Sequence, residues 1–191
     1  GLRTPAIKPC RLDVGRIVAE SIELDGQIAA ANAQDMPEEA QDVVLYGFGR
    51  IGRLLARNYI ERSGPAALLN LRAVVCRPSK DPAADLRKRA SLLRTDSIHG
   101  AFNATVEVDE DRLCLIANGN RIQFIYAPDP AGLNYGEYGI KNAILIDNTG
   151  VWKDDAGLGQ HLASSGVEKV LLTAPAKGDI PNIVYGVNDG E

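Results

Sequence analysis

The chain has 191 residues, of which 45% are apolar and 24% are charged, a balance typical of a globular protein. Its formal net charge of -4 argues against a nucleic-acid partner, and no apolar run is long enough to span a membrane or to act as a secretory signal. The three cysteines (Cys10, Cys76 and Cys114) are odd in number and widely spaced, which fits neither a disulfide framework nor a zinc site and indicates a cytoplasmic protein without a metal.

Residues 1–41 differ in pattern from the rest of the chain. Pro5 and Pro9 are followed by weak helical periodicity from Val14 to Ala30, and an acidic stretch from Asp35 to Asp42 follows. We predict a helical N-terminal extension over residues 1–41 and a separate domain over residues 42–191.

The stretch from Val43 to Ser63 is the most informative part of the sequence. An apolar run typical of a buried strand leads into Gly47-Phe48-Gly49-Arg50-Ile51-Gly52, which has the spacing GxGxxG, and apolar residues then recur at helical spacing. Strand, glycine turn and helix in this order predict a dinucleotide site. Gly47 would permit the tight turn, Gly49 would let the backbone approach a pyrophosphate, and Gly52 would let the helix pack closely on the strand. The free N–H groups at the start of the helix would face the phosphates.

Strands and helices alternate through the rest of the chain. Strands are predicted over residues 68–76, 142–147, 167–173 and 182–187, and helices over residues 85–94 and 154–164. Short runs over residues 104–108, 112–116 and 121–126, the last two joined through Asn118-Gly119-Asn120, predict an antiparallel meander. The fold class predicted is α/β, a Rossmann-like doubly wound parallel sheet with an inserted antiparallel meander and a helical N-terminal extension.

Ligands bind such sheets at the carboxyl ends of the parallel strands. Three strand ends carry small or hydroxyl-bearing residues that suit close approach to ribose and phosphate: the glycine turn, Asn148–Trp152 and Thr173–Asp179. Any one of them could be an ordinary loop, but together with the glycine fingerprint they predict a cofactor crevice. Trp152 could be a core residue or a wall of the adenine pocket.

The end of the second predicted strand bears on the choice of cofactor. An acid at this position would hydrogen-bond the ribose 2′-hydroxyl of NAD, whereas the sequence has Arg77, which would attract the 2′-phosphate of NADP with Ser79 and Lys80 as helpers. Asp81 could still reach the ribose if the loop folds back, and Arg77 could be a solvated charge. The predicted cofactor is therefore NAD or NADP.

The only histidines are His99, in a predicted turn, and His161, in a predicted helix. Neither is spaced with a cysteine, serine or acid as a recognisable catalytic set, so we expect structural hydrogen bonds from both. No catalytic residue is predicted in this chain.

Five motifs occur in one order along the chain: GFGRIGRLLAR, DSIHG, DNTGVW, LLTAPAKGD and VYGVND. This order resembles the N-terminal cofactor domain of glyceraldehyde-3-phosphate dehydrogenase over about residues 43–189, and the segment before it resembles the larger bacterial variety of the enzyme. The family oxidises an aldehyde with uptake of phosphate: a cysteine thiolate attacks the aldehyde, hydride passes to the nicotinamide, and phosphate cleaves the thioester.

The resemblance implies roles for individual residues. The backbone of Arg50 and Ile51 would bind the pyrophosphate, and Thr149 and Gly150 would line the path towards the nicotinamide ribose.

Trp152 would take the place of an aromatic residue that borders adenine, and Thr173 and Ala174 would face the nicotinamide. The turn Asp96–Gly100 would be structural.

The departures from the family pattern limit what we expect of this chain alone. The family's catalytic cysteine lies in a Ser-Cys-Thr-Thr-Asn motif after the region equivalent to VYGVND, and none of the three cysteines here matches it. We therefore expect an inactive cofactor-binding fragment of a full enzyme, itself a monomer or weak dimer although the family forms tetramers. An erythrose-4-phosphate dehydrogenase paralogue and a stand-alone, non-catalytic nucleotide-binding module remain alternatives.

Overall fold

The computed structural model describes residues 40–64 and 67–189. Nine strands occur in this part of the chain: β1 Gln41–Tyr46, β2 Leu69–Cys76, β3 Thr95–Asp96, β4 Gly100–Ala101, β5 Val106–Asp109, β6 Cys114–Ala117, β7 Asn120–Tyr126, β8 Ala143–Asp147 and β9 Val167–Leu172. The helices are α1 Arg50–Glu61, α2 Pro82–Arg94 and α3 Asp155–Leu162, with a short 3-10 helix at Tyr135–Tyr138. The predicted helical extension lies almost entirely outside the described residues.

Seven strands form one sheet in the order β5-β6-β7-β2-β1-β8-β9, and β3 and β4 pair separately. Strands β7, β2, β1, β8 and β9 run parallel, whereas β5, β6 and β7 form an antiparallel meander. The predicted α/β class, the doubly wound parallel sheet and the inserted meander are confirmed.

Side chains alternate across β1, so the sheet presents an apolar surface on both faces. Val43 and Leu45 pack in a cluster with apolar residues of α1 and α2. Val44 and Tyr46 point to the opposite face, where they pack in a second cluster with Tyr135 of the 3-10 helix. Burial on two faces explains why β1 reads as a continuous apolar run rather than as an alternating one.

Two of the three α-helices begin with a side chain that caps the first backbone N–H groups, and α1 does not. The side chain of Asp81 caps α2 by accepting from Ala84 N at 2.9 Å, and that of Asp154 caps α3 by accepting from Gly157 N at 2.8 Å. Helix α1 has Gly49 at its N-cap and no side-chain cap. Its first N–H groups are therefore left for another acceptor.

The predicted strand over residues 182–187 is wrong. The backbone there has no strand pairing and closes into a turn over residues 185–189. The reason is that polar side chains bind the local backbone: Asn188 Oδ1 accepts from Val184 N at 2.7 Å, and Asp189 Oδ1 accepts from Gly186 N at 2.9 Å. Tyr185 is 93% exposed, so the apolar residues of this segment have no layer to pack on.

The predicted turn Asp96–Gly100 is confirmed: residues 97–99 form a turn that joins β3 to β4 in a hairpin. Among the helices of the described residues, none has the length and apolar character needed to cross a membrane.

Candidate dinucleotide-binding crevice

A crevice of about 500 Å³ opens at the carboxyl ends of β1, β2, β7 and β8. It lies where the chain order reverses, because the strands after β1 run outward through β2 and β7 on one side and through β8 and β9 on the other. This topological switch point is where open α/β sheets bind ligands. The crevice is lined by the strand ends, by the loops that follow them and by one residue of α2: Tyr46, Gly47, Phe48, Gly49, Val75, Cys76, Arg77, Arg89, Ala127, Pro128, Asn148, Thr149, Val151 and Trp152.

The glycine turn has the tight geometry predicted from its spacing. Gly47 has φ +93°, a conformation that favours glycine, and a Cβ there would lie 2.8 Å from Thr149 Cγ2. A Cβ on Gly52 would lie 2.3 Å from the carbonyl oxygen of Gly47, so only glycine lets α1 begin against the turn. A Cβ on Gly49 would meet no atom within 4 Å, and this glycine faces the open crevice.

The loop after β8 is held in place by hydrogen bonds to the buried carboxylate of Asp147. Asp147 Oδ1 accepts from the backbone N of Thr149 at 2.6 Å and from Thr149 Oγ1 at 2.7 Å. Its other oxygen, Oδ2, lies 3.1 Å from Nε2 of His161, and both side chains are fully buried. The Asp147–His161 pair therefore fixes the backbone that lines the crevice.

Aromatic side chains surround His161 and form one wall of the crevice. The Tyr46 ring lies edge-on to the His161 ring with centroids 4.5 Å apart, and Trp152 stands at 6.4 Å in a similar T-shaped arrangement. Burial, reinforced by the nearby carboxylates of Asp147 and Asp129, raises the pKa of Tyr46 to about 12. Trp152 contacts the second core cluster and also lines the crevice.

The end of the crevice next to the carboxyl end of β2 is basic. Exposed Arg77 follows the last residue of β2, and half-buried Arg89 reaches the same cavity from α2. Arg89 Nε donates to Asp85 Oδ2 at 2.5 Å. Cys76 is buried beside them, and burial raises the pKa of its thiol to about 12. At neutral pH this thiol is protonated and inert.

The arginines of α1 are used for the scaffold. Arg53 donates to Asp96 Oδ2 at 3.2 Å, and buried Arg57 donates to the carbonyl oxygens of Leu93 at 2.9 Å and Gly100 at 3.1 Å. These two arginines thus tie α1 to α2 and to the β3–β4 hairpin.

Asp96 is the centre of the hairpin turn. Its Oδ1 accepts from Ile98 N at 3.0 Å and from His99 N at 3.1 Å, and these N–H groups together with His99 and Arg53 hold the pKa of the carboxyl well below 3.8. His99 Nδ1 lies 3.1 Å from the same oxygen. The two histidines make the structural contacts that we expected of them.

The structure brings half of the twelve predicted cofactor-binding residues into one crevice: Gly47, Phe48, Gly49, Arg77, Thr149 and Trp152. Three more, Arg50, Ile51 and Gly52, form the first turn of α1 behind the glycine turn. Gly150, Thr173 and Ala174 lie beside the loop after β8: Thr173 Oγ1 donates to Asn148 Oδ1 at 3.2 Å, and a Cβ on Gly150 would lie 3.8 Å from that of Ala174.

Sequence reasoning missed three features of the site. The sequence predicts a strand that ends at Asp147 and a helix that contains Arg89, but neither a pairing of Asp147 with His161 nor a place for Arg89 in the crevice. The strand end at Asp147 is a usable signal, since polar residues at the carboxyl end of a buried strand point to the ligand edge of a parallel sheet.

A doubly wound sheet with a glycine turn, an uncapped helix start and a crevice at the switch point defines a Rossmann-type dinucleotide-binding domain. Residues 41–155 match the glyceraldehyde 3-phosphate dehydrogenase NAD binding domain. The chain belongs to the glyceraldehyde-3-phosphate dehydrogenase family.

Relatives from distant organisms agree with this assignment. A glyceraldehyde-3-phosphate dehydrogenase-like protein of Pseudomonas aeruginosa is 53% identical over 91% of this chain and 37% of its own length. The chloroplastic glyceraldehyde-3-phosphate dehydrogenase A of Zea mays is 34% identical over 98% of this chain and 45% of its own length. The enzyme of Monascus purpureus is 38% identical over 78% of this chain and 40% of its own length. The chain thus spans less than half the length of these relatives.

Proposed function

We propose that this chain is the cofactor-binding part of an NAD(P)-dependent oxidoreductase that oxidises a phosphorylated aldehyde. The proposal is supported by the family match over residues 41–155 and by the crevice at the switch point. The observation that carries it is the contact between α1 and the glycine turn. Because Gly52 packs on Gly47 without a Cβ, the uncapped first turn of α1 is brought to the rim of the crevice.

The residues present fit a dinucleotide. The N–H groups at the start of α1 and the bare backbone of Gly49 suit a pyrophosphate, since they supply donors without steric obstruction. The indole of Trp152 offers an apolar face for a base, and the Thr149 backbone is held in place by Asp147.

When bound, the nicotinamide would supply hydride acceptance, and the protein would supply binding, orientation and a rigid loop next to the ring. We propose that Thr149, Gly150, Thr173 and Ala174 are on that side of the crevice. The substrate would be glyceraldehyde 3-phosphate, as the names of the relatives suggest, with erythrose 4-phosphate as the alternative.

The thioester step of this chemistry needs a reactive cysteine, and the described cysteines do not suit it. Cys76 and Cys114 are buried, and the raised pKa of Cys76 keeps that thiol protonated. We therefore propose that these 191 residues bind the cofactor without turning over an aldehyde. We also propose that they form a monomer or weak dimer, whereas the whole enzyme would be a tetramer.

Titration of the fluorescence of the single tryptophan, Trp152, tests the binding proposal. Adding 5′-ADP or the intact dinucleotides should change the emission with a saturable curve, because Trp152 lines the crevice. Gly49→Val should abolish the change, since it fills the space above an otherwise unobstructed backbone. Gly159→Val is the matched control, as a Cβ on Gly159 in α3 also meets no atom within 4 Å. Saturable binding that survives Gly49→Val would contradict the assignment of the glycine turn.

A further inference from the structure

The basic end of the crevice sits where the adenine ribose of a bound dinucleotide would be read. In doubly wound folds, the residue after the second strand of the unit contacts the ribose 2′ position, an acid for NAD and an arginine near a 2′-phosphate for NADP. Here that residue is Arg77, next to the last residue of β2. It lines the same cavity as the glycine turn and Arg89.

Asp81, which could have read the ribose, is occupied elsewhere. Its Oδ1 accepts from Ala84 N at 2.9 Å as the cap of α2, and the turn before it is fixed by Ser79 Oγ, which donates to the carbonyl of Asp81 at 3.1 Å. Among the residues that line the crevice, no side chain is a carboxylate.

The other acids close to the crevice are engaged as well. Asp85 binds Arg89, Asp129 Oδ1 accepts from Ala131 N at 3.0 Å, and both oxygens of Asp147 contact Thr149 or His161. In the described part of the chain, Arg77 makes neither a hydrogen bond nor an ion pair with a carboxylate. Its charge is available to a ligand.

We infer that the crevice selects a dinucleotide with a 2′-phosphate, NADP over NAD, and that Arg77 determines this selection with support from Arg89. The inference rests on the proposed function, because it presumes that a dinucleotide enters this crevice. The guanidinium of Arg77 offers a planar fork of donors that matches phosphate geometry. Arg89 adds a second positive charge whose Nε is held by Asp85, so its position is fixed before binding. A bare 2′-hydroxyl finds no carboxylate acceptor among the crevice-lining side chains. Because the hydroxyl carries no charge, it also interacts more weakly than a phosphate with the two guanidinium groups.

The test compares two ligands that differ only in the 2′ group, 5′-ADP and adenosine 2′,5′-bisphosphate, by calorimetric titration of the whole chain. The bisphosphate should bind about 10- to 100-fold more tightly, the range expected for charge-assisted hydrogen bonds. Arg77→Ala should remove this preference, measured as the ratio of the two dissociation constants. Arg77→Lys should keep only part of it, because an ammonium ion lacks the fork. Arg121→Ala is the control, an exposed arginine at the start of β7, far from the strand's crevice end, and should keep the full preference.

The outcomes separate the two proposals. Equal affinities of the two ligands in the unaltered chain would overturn the selection of a 2′-phosphate while leaving the proposed function intact, because 5′-ADP would still bind. A preference that survives Arg77→Ala would overturn the role of Arg77. If neither ligand binds, both proposals are overturned. A preference that is lost in Arg77→Ala, with thermal unfolding unchanged at this exposed position, would establish the inference.

Discussion

Replacing His161 by alanine measures how much the buried pair with Asp147 supports the crevice. Both side chains are fully buried, and the substitution removes the group within 3.1 Å of Asp147 Oδ2. Breaking a buried polar pair by removing one partner costs about 3–5 kcal/mol, since Asp147 Oδ2 is left buried without that partner. For a chain of this length, that loss lowers the melting temperature by about 6 to 20 °C.

The second histidine supplies a matched control. His99 Nδ1 also lies 3.1 Å from an aspartate oxygen, but its side chain is 46% exposed, and the Asp96 carboxylate keeps its two backbone donors without it. His99→Ala should shift the melting temperature by no more than about 2 °C. Scanning calorimetry of both variants checks the argument. Equal shifts in the two variants would refute the reasoning, because they would show that burial does not set the strength of these contacts.

Other expectations follow from single contacts. Gly52→Ala should have a markedly lower melting temperature than the unaltered chain, because its Cβ would lie 2.3 Å from the Gly47 carbonyl oxygen. Gly49→Ala, whose Cβ would meet no atom within 4 Å, should keep the melting temperature of the unaltered chain. Equal melting temperatures of the two variants would contradict the close-packing argument. The lowered pKa of Asp96 stabilises the fold above its unfolded pKa of 3.8, and this contribution is lost as pH falls below 3.8. Urea midpoints of the unaltered chain should therefore fall more between about pH 5 and about pH 3 than those of Asp96→Asn, and parallel curves would be the contrary result. Cys76, with its pKa raised to about 12, should react with a thiol reagent at neutral pH only after denaturation; peptide mapping showing labelling of the native chain would contradict its burial.

The part of the fold that local sequence determines could be predicted well. The glycine spacing requires a tight turn and a close helix, and Gly47 and Gly52 have the geometry that this requirement implies. The meander was predictable because Asn118-Gly119-Asn120 is a strong turn signal between short apolar runs. In these places the chemistry of neighbouring residues decides the structure.

Features that depend on distant residues could not be predicted in the same way. Asp147 and His161 meet only because α3 folds back over the end of β8, and no short spacing encodes that contact. The strand predicted over residues 182–187 is absent for a related reason. The segment has the apolar pattern of a strand, but the side chains of Asn188 and Asp189 bind its backbone and close a turn. An apolar periodicity indicates which side chains could be buried, but they are buried only where another apolar surface packs against them.

The arginines of this domain have separate roles, and this separation determines which of them can be substituted during evolution without loss of stability. Arg53 and Arg57 hold α1 against its neighbours, whereas exposed Arg77 forms no hydrogen bond or ion pair with that scaffold among the described residues. On the inference drawn for Arg77, a substitution there would shift the choice between NADP and NAD without a penalty in folding, because the side chain is exposed. Substitutions at such a position change ligand preference without lowering stability. Arg77 is therefore the first residue to substitute when cofactor preference is to be altered in the laboratory.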